Sequence, residues 1–229
     1  MLARLLRQTG NFDILKTISS MSDEAIYKMG LLHEAREKAL ASARLIIQNS
    51  AKSIRATHRS EFSVAKGLIS EVEELRTRIE PVLLEYQVVY FAGFWEDALK
   101  EYVEASLILA FSERSSIPSI EDLNVGAAVY MNGLAEAAGE LRRLIMDLLR
   151  EDKDLERCEG LLAIMDEIYT ALVVVDFPDA ETRGLHRNTD MVRAVLERTR
   201  SDLTTALRQE KLRNQISNFR KDFENTNTG

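Results

Sequence analysis

A single cysteine, Cys158, leaves this chain of 229 residues without an intrachain disulfide and suits a reducing compartment, so a cytoplasmic location is expected. Only 3 prolines and 10 glycines punctuate it, while alanine, leucine, glutamate and arginine abound. That balance argues against turn-rich β architectures and for an all-helical protein. No apolar run approaches the ~18 uninterrupted residues of a membrane span. Residues 1–10 hold no long apolar stretch ahead of a small-residue cleavage site, so no secretory signal is expected. A Gly-x-x-x-x-Gly-Lys loop is missing, which leaves P-loop nucleotide hydrolysis unsupported. His33, His58 and His186 are the only histidines, and none lies three residues after a glutamate. A di-iron carboxylate bundle, which needs a Glu-x-x-His unit on each of two helices, is thereby disfavoured. Cys158 stands among Glu156, Arg157 and Glu159, and the two acids raise a thiol pKa rather than activate it.

The net charge of −7 argues, as an average, against a nucleic-acid binder. The distribution says otherwise. Six basic residues face one acid in residues 36–59, so that segment carries +5 and the remainder −12. Arg44, Gln48, Lys52, Arg55 and Arg59 follow one another at spacings of 4, 4, 3 and 4, along one helix face. Ile47, Ala51, Ile54 and His58 keep the same rhythm on a neighbouring face, as a core-facing stripe does. The basic face is either a solvated surface or a strip that tracks phosphates.

One domain of about seven helices, residues 22–216, is expected between an N-terminal extension (1–21) and a flexible polar tail (217–229). Ser22 and Asp23 cap a first helix that runs to about Arg59, a length that suggests contact with another subunit. A second helix spans about 60–78, and Pro81 opens a third whose residues 82–92 read as buried. Residues 94–112 form the fourth. The capping pattern Ser119-Ile-Glu-Asp opens a fifth that extends to Arg150, with Gly126, Gly133 and Gly139 admitting close neighbours. Residues 153–175 form the sixth. Asn188 or Thr189 caps the seventh, which runs to about Asn214.

Four of the glutamates in the fourth and fifth helices fall into two pairs. Glu101 and Glu104 are spaced i, i+3 within Glu-Tyr-Val-Glu-Ala; Glu136 and Glu140 are spaced i, i+4 within Glu-Ala-Ala-Gly-Glu. Residues 102–111 are apolar almost all round, and an ionised carboxylate in such a helix needs a partner. Asp97 extends the first pair. The second pair belongs to a polar stripe of Asn132, Glu136, Glu140, Arg143 and Asp147, whose plainest reading is a solvent-facing side with Glu140 pairing Arg143. The sharper reading is an all-oxygen cage for a hard cation, Mg2+ or Mn2+, and metal-assisted hydrolysis. Of the aromatics nearby, Tyr90, Phe94, Trp95 and Tyr102 suit core packing better than base stacking.

Three stretches carry a family resemblance. Arg36-Glu37-Lys38-Ala39-Leu40 with residues 50–59 (Ser-Ala-Lys-Ser-Ile-Arg-Ala-Thr-His-Arg), Glu101-Tyr-Val-Glu-Ala105 and Gly133-Leu-Ala-Glu-Ala-Ala-Gly-Glu-Leu141 resemble the translin superfamily, in particular its translin-associated factor X (Trax) branch. Translin subunits lack those acids at the matching positions. The resemblance implies an all-helical protomer that assembles into a hollow oligomer, either a homo-oligomer or one joined by a translin-like subunit, and that carries a Mg2+-dependent endoribonuclease centre. It makes Glu101, Glu104, Glu136 and Glu140 the metal-binding and catalytic residues, with Glu104 the candidate to position water. Glu136 stands where the family usually has aspartate, one methylene longer. Arg44, Lys52, Arg55 and Arg59 would hold RNA, or single-stranded DNA, by its phosphates. The alternative is a non-catalytic nucleic-acid-binding shell whose acids only make ion pairs.

Overall fold

The computed structural model describes residues 11–151 and 154–227, so that residues 1–10 of the expected extension and 228–229 of the expected tail lie outside the described residues. Among the described residues every regular element is helical: α1 (Asn11–His58), α2 (Phe62–Glu85), α3 (Gln87–Tyr90), α4 (Gly93–Glu113), α5 (Ile120–Leu123), α6 (Ala127–Arg150), α7 (Leu155–Val173), α8 (Asp179–Thr182) and α9 (Leu185–Asn227). Helices α3, α5 and α8 are single turns; the other six build the bundle.

Helix α1 runs 48 residues, about 72 Å at 1.5 Å per residue. It starts ahead of the Ser22-Asp23 pair because nothing between residues 11 and 22 interrupts it, neither glycine nor proline. Ala35, Ala39, Ala43, Ile46, Ser50, Ser53 and Thr57 form its buried stripe, at spacings of three and four. Ile47, expected on the core side, is exposed; the stripe turns away from it by about one residue. Helix α1 closes in a Schellman turn. Ser60 takes a positive φ of 60°, Glu61 N–H reaches the Ala56 carbonyl (2.9 Å) and Ser60 N–H the Thr57 carbonyl (2.9 Å).

The chain then folds back as α2, clamped to α1 by Ser53 Oγ donating to the Ala65 carbonyl (3.1 Å) and Asn49 Nδ2 to Glu71 Oε2 (2.9 Å). Pro81 does not open a helix but lies within α2. The carbonyl that loses its donor, four residues back, belongs to Thr77, which is exposed to solvent. Residues 82–92 are correspondingly less buried than their composition suggests: Leu84, Val88 and Phe91 are exposed.

Helix α4 is the centre of the molecule. It packs against α1 and α2 on one side and α6 on the other, and α6 in turn meets α7 and α9. Trp95, Leu99, Tyr102, Val103, Leu107 and Ile108 of α4 join Val72, Leu141, Ile145 and Met165 in one core. The capping box forms as the pattern implies, with Ser119 Oγ accepting from Asp122 N–H and Ser119 N–H donating to Asp122. The helix it opens lasts one turn, because Asn124 takes the left-handed conformation (φ 46°) and α6 begins afresh at Ala127. Helix α9 likewise passes the expected end near Asn214 and continues to Asn227. It starts at Leu185, after Arg183 and Gly184 with positive φ, ahead of the expected Asn188 cap.

Gly133 is where α6 touches α4. A Cβ there would stand 2.7 Å from Val103 Cβ and Cγ1 and 3.0 Å from the Lys100 carbonyl. Only a glycine lets the helices meet this closely. Gly126 and Gly139, expected to admit neighbours too, face nothing within 4 Å.

Candidate functional site

Three of the four glutamates come together at the α4–α6 crossing. Glu101, Glu104 and Glu136 each offer a carboxylate oxygen within 4.8 Å of the others. Glu101 and Glu104 sit one turn apart on α4, and Glu136 lies one turn beyond Gly133 on α6, opposite them. Asp97, the further acid on α4, stays out of the cluster and exposes most of its side chain.

Glu104 is only 8% exposed. Burial first, then the neighbouring charges of Glu101, Glu136 and Glu140, push its pKa up to about 8, against a weaker pull downward from Lys100. Glu101 is raised by the same kind of burial and by Glu136, with Lys100 opposing. Crowded, half-desolvated carboxylates of this kind hold a proton in place of a cation, and a divalent cation relieves the same strain. Mg2+ or Mn2+ suits a donor set that is all oxygen and drawn from two helices.

Glu140 takes another partner. Its Oε2 accepts a hydrogen bond from His58 Nε2, at the end of α1, and lies 3.6 Å from Arg143 Nη1. That bond, opposed by burial and helped by the His58 and Arg143 charges, holds the Glu140 carboxyl below the usual range. His58 Nδ1 is buried without a protein partner among the described residues. The solvent-facing reading of the α6 stripe therefore fails at its inner end. Asn132 is buried, donates from Nδ2 to the Ala128 and Thr182 carbonyls (both 2.8 Å), and accepts from Asn188.

Two cluster partners escaped the sequence reading. Lys100 Nζ sits 2.8 Å from Glu136 Oε1 and 3.9 Å from Asp97 Oδ1. Burial pulls its pKa down, but the Glu136 carboxylate outweighs it and the net shift is upward. It is the sole basic residue of α4, a signal available from the start. His58, assigned to the core, was visible only as a polar residue on an apolar face; its tie to Glu140 crosses 82 positions.

The basic face follows α1, with Arg44, Lys52 and Arg55 exposed on the helix and Arg59 exposed in the turn that closes it. Arg59 is engaged by Glu61, Nε to Oε1 at 2.9 Å and Nη2 to Oε2 at 2.7 Å. Arg44, Lys52 and Arg55 have no acidic partner within 4 Å among the described residues. Trp95 and Tyr102 are core residues, and Tyr102 lies under the Arg76 guanidinium (4.8 Å). Cys158 is buried, which raises its pKa ahead of the effect of Asp154. No helix among the described residues is long and apolar enough to cross a membrane.

No family model matches the chain. It is 26% identical over 217 residues to an uncharacterized protein of Methanocaldococcus jannaschii, covering 93% of this chain and 96% of that one. Among solved structures it is similar to AfC3PO in complex with duplex RNA, with a TM-score of 0.74 and 33% identity over 81% of this chain and 96% of that one. The crystal structure of AfC3PO matches at a TM-score of 0.73 and 30% identity, with the same coverage of both chains. The apo-NeC3PO structure matches at 0.71 and 22% identity over 80% of this chain and 96% of that one, a likeness of fold.

Proposed function

This chain belongs to the translin superfamily, and from that premise we propose that it is an RNA-binding, Mg2+-dependent endoribonuclease of the Trax type. The observation that carries the proposal is the convergence of Glu101, Glu104 and Glu136 within 4.8 Å across two helices. These residues would hold the cation, Mg2+ or Mn2+. When bound, it supplies the positive charge that polarises a phosphodiester and acidifies water. The chain's own residues do the rest. Glu104, buried on α4, keeps one carboxyl oxygen at the reacting centre. Glu140 and His58 form a hydrogen-bonded pair on its α1 side. The exposed Arg44, Lys52 and Arg55, without an acidic partner among the described residues, hold a strand by its phosphates without reading bases.

The relative bound to duplex RNA supports RNA as the ligand; single-stranded DNA offers the same phosphates. An oligomer is supported by α1, whose outer half exposes Ile14, Ile18, Met21, Ile26, Tyr27 and Met29. Apolar side chains in such density are what a second copy, or a translin-like subunit, covers. A multiple of 26 kDa by light scattering is the expectation.

A non-catalytic shell is the second reading, favoured by the Lys100–Glu136 and His58–Glu140 pairs, which already satisfy two of the acids. Cleavage of single-stranded and duplex RNA, with and without Mg2+, separates the two. The wild type is expected to cut only with Mg2+, and Glu101→Ala with Glu104→Ala to abolish cutting while RNA affinity stays within about twofold. Persistent cleavage in the double variant sinks the metal centre, and a wild type that never cuts favours the shell.

A further inference from the structure

We propose that Lys100 is a built-in competitor for the metal: its ammonium occupies the Glu136 corner of the carboxylate cluster and must leave that corner when a divalent cation enters. The inference rests on the metal-centre reading above and adds a residue that sets its affinity.

The geometry is direct. Lys100 Nζ lies 2.8 Å from Glu136 Oε1, one of the three carboxylates whose oxygens converge within 4.8 Å. With Glu101, Glu104 and Glu136 ionised, the cluster carries −3, and the lysine reduces it to −2. An ammonium at hydrogen-bond distance from a carboxylate and a cation at ligand distance from the same group repel each other, and a half-desolvated site screens that repulsion poorly. The two therefore exchange rather than share.

The backbone of Lys100 cannot make way. Its carbonyl is pressed against Gly133, 3.0 Å from where a Cβ would stand, so the α4 turn bearing Lys100 is locked to α6. The side chain can. It is 24% exposed at the mouth of the cluster, and four flexible carbons let the ammonium swing out without moving either helix. Asp97, 3.9 Å away and mostly exposed, gives the displaced ammonium a place to go. A fixed guanidinium wedged in the core would be a brace; a lysine at the mouth is a removable counter-ion.

A brace and a competitor differ in sign. If Lys100 merely braces Glu136, removing it leaves that ligand loose and weakens metal binding. If it competes, removing it strengthens binding, by about tenfold or more, the size of effect one adjacent charge has on an ionic equilibrium. Calorimetric titration of Mn2+ into the full-length wild type, Lys100→Met and Lys100→Arg, without RNA and at fixed pH and salt, decides between them. The expected result is tighter binding in Lys100→Met and wild-type binding in Lys100→Arg. Unchanged or weaker binding in Lys100→Met overturns the competitor. No Mn2+ binding by the wild type and by Lys100→Met alike overturns the metal centre itself, a different failure. Melting curves cover a variant too unstable to titrate: Mn2+ should raise the melting temperature of Lys100→Met, or of the milder Lys100→Gln, more than that of the wild type. An equal or smaller rise again overturns the proposal.

Discussion

Glu104 shows what it costs to bury an acid beside two others. Its pKa, normally 4.5, rises to about 8 through burial and the charges of Glu101, Glu136 and Glu140. The folded protein therefore keeps a proton that the unfolded chain has lost above pH 4.5, and the metal-free fold loses stability as pH rises from there to about 8, beyond which the penalty is complete. The size is on the order of 5 kcal/mol, and Glu101, also shifted upward, adds in the same direction. Glu104→Gln removes the charge and keeps the shape, so melting temperatures of the metal-free variant should fall far less between pH 5 and 8.5 than those of the wild type. Parallel pH curves for the two proteins contradict the assignment. The acids themselves were legible in the sequence, because ionisable residues inside an apolar helix demand an explanation. Their partners were not. Lys100 stands beside Glu101 in the sequence, yet it reaches Glu136, 36 positions away, and no local pattern encodes that choice.

At the scale of the helix, the site depends on how α4 and α6 cross. Gly133→Ala puts a methyl 2.7 Å from Val103, a distance that forces the helices apart. Overpacking of this kind costs ~1–3 kcal/mol, and because Glu136 is carried one turn away, the parting also spreads the carboxylates. The variant should melt lower and bind Mn2+ more weakly; a lower melting temperature with unchanged Mn2+ affinity separates the crossing from the site. Helix identity and order were legible from periodicity, since α1, α2, α4, α6, α7 and α9 all sit where apolar spacing places them. Ends were less so. Asn124 stops α5 after one turn by entering the left-handed region, while Pro81 fails to interrupt α2, and each outcome hangs on solvent access and tertiary packing rather than on the residue alone. The phase of α1 departs from its apolar spacing for a related reason: small residues (Ala39, Ala43, Ser50, Ser53) line its buried face, and the bulkier Ile47 faces out.

At the scale of the whole chain, segregated charge lets an acidic average coexist with the proposed nucleic-acid ligand. A run of basic residues lies on an exposed face of α1, and the partly buried acids cluster at the α4–α6 crossing, beside the Glu140 carboxylate that His58 at the end of α1 engages. The apolar outer half of α1 and the exposed Leu84, Val88 and Phe91 mark surfaces that assembly would cover. The central claim, that acids of two helices grip one cation, is tested most directly by anomalous diffraction from crystals soaked in Mn2+. The account predicts a strong anomalous peak between α4 and α6, about 2 Å from carboxylate oxygens of Glu101, Glu104 and Glu136, with the Lys100 ammonium swung away. Density confined to the outer surface, with Lys100 still seated on Glu136 at saturating Mn2+, would contradict it.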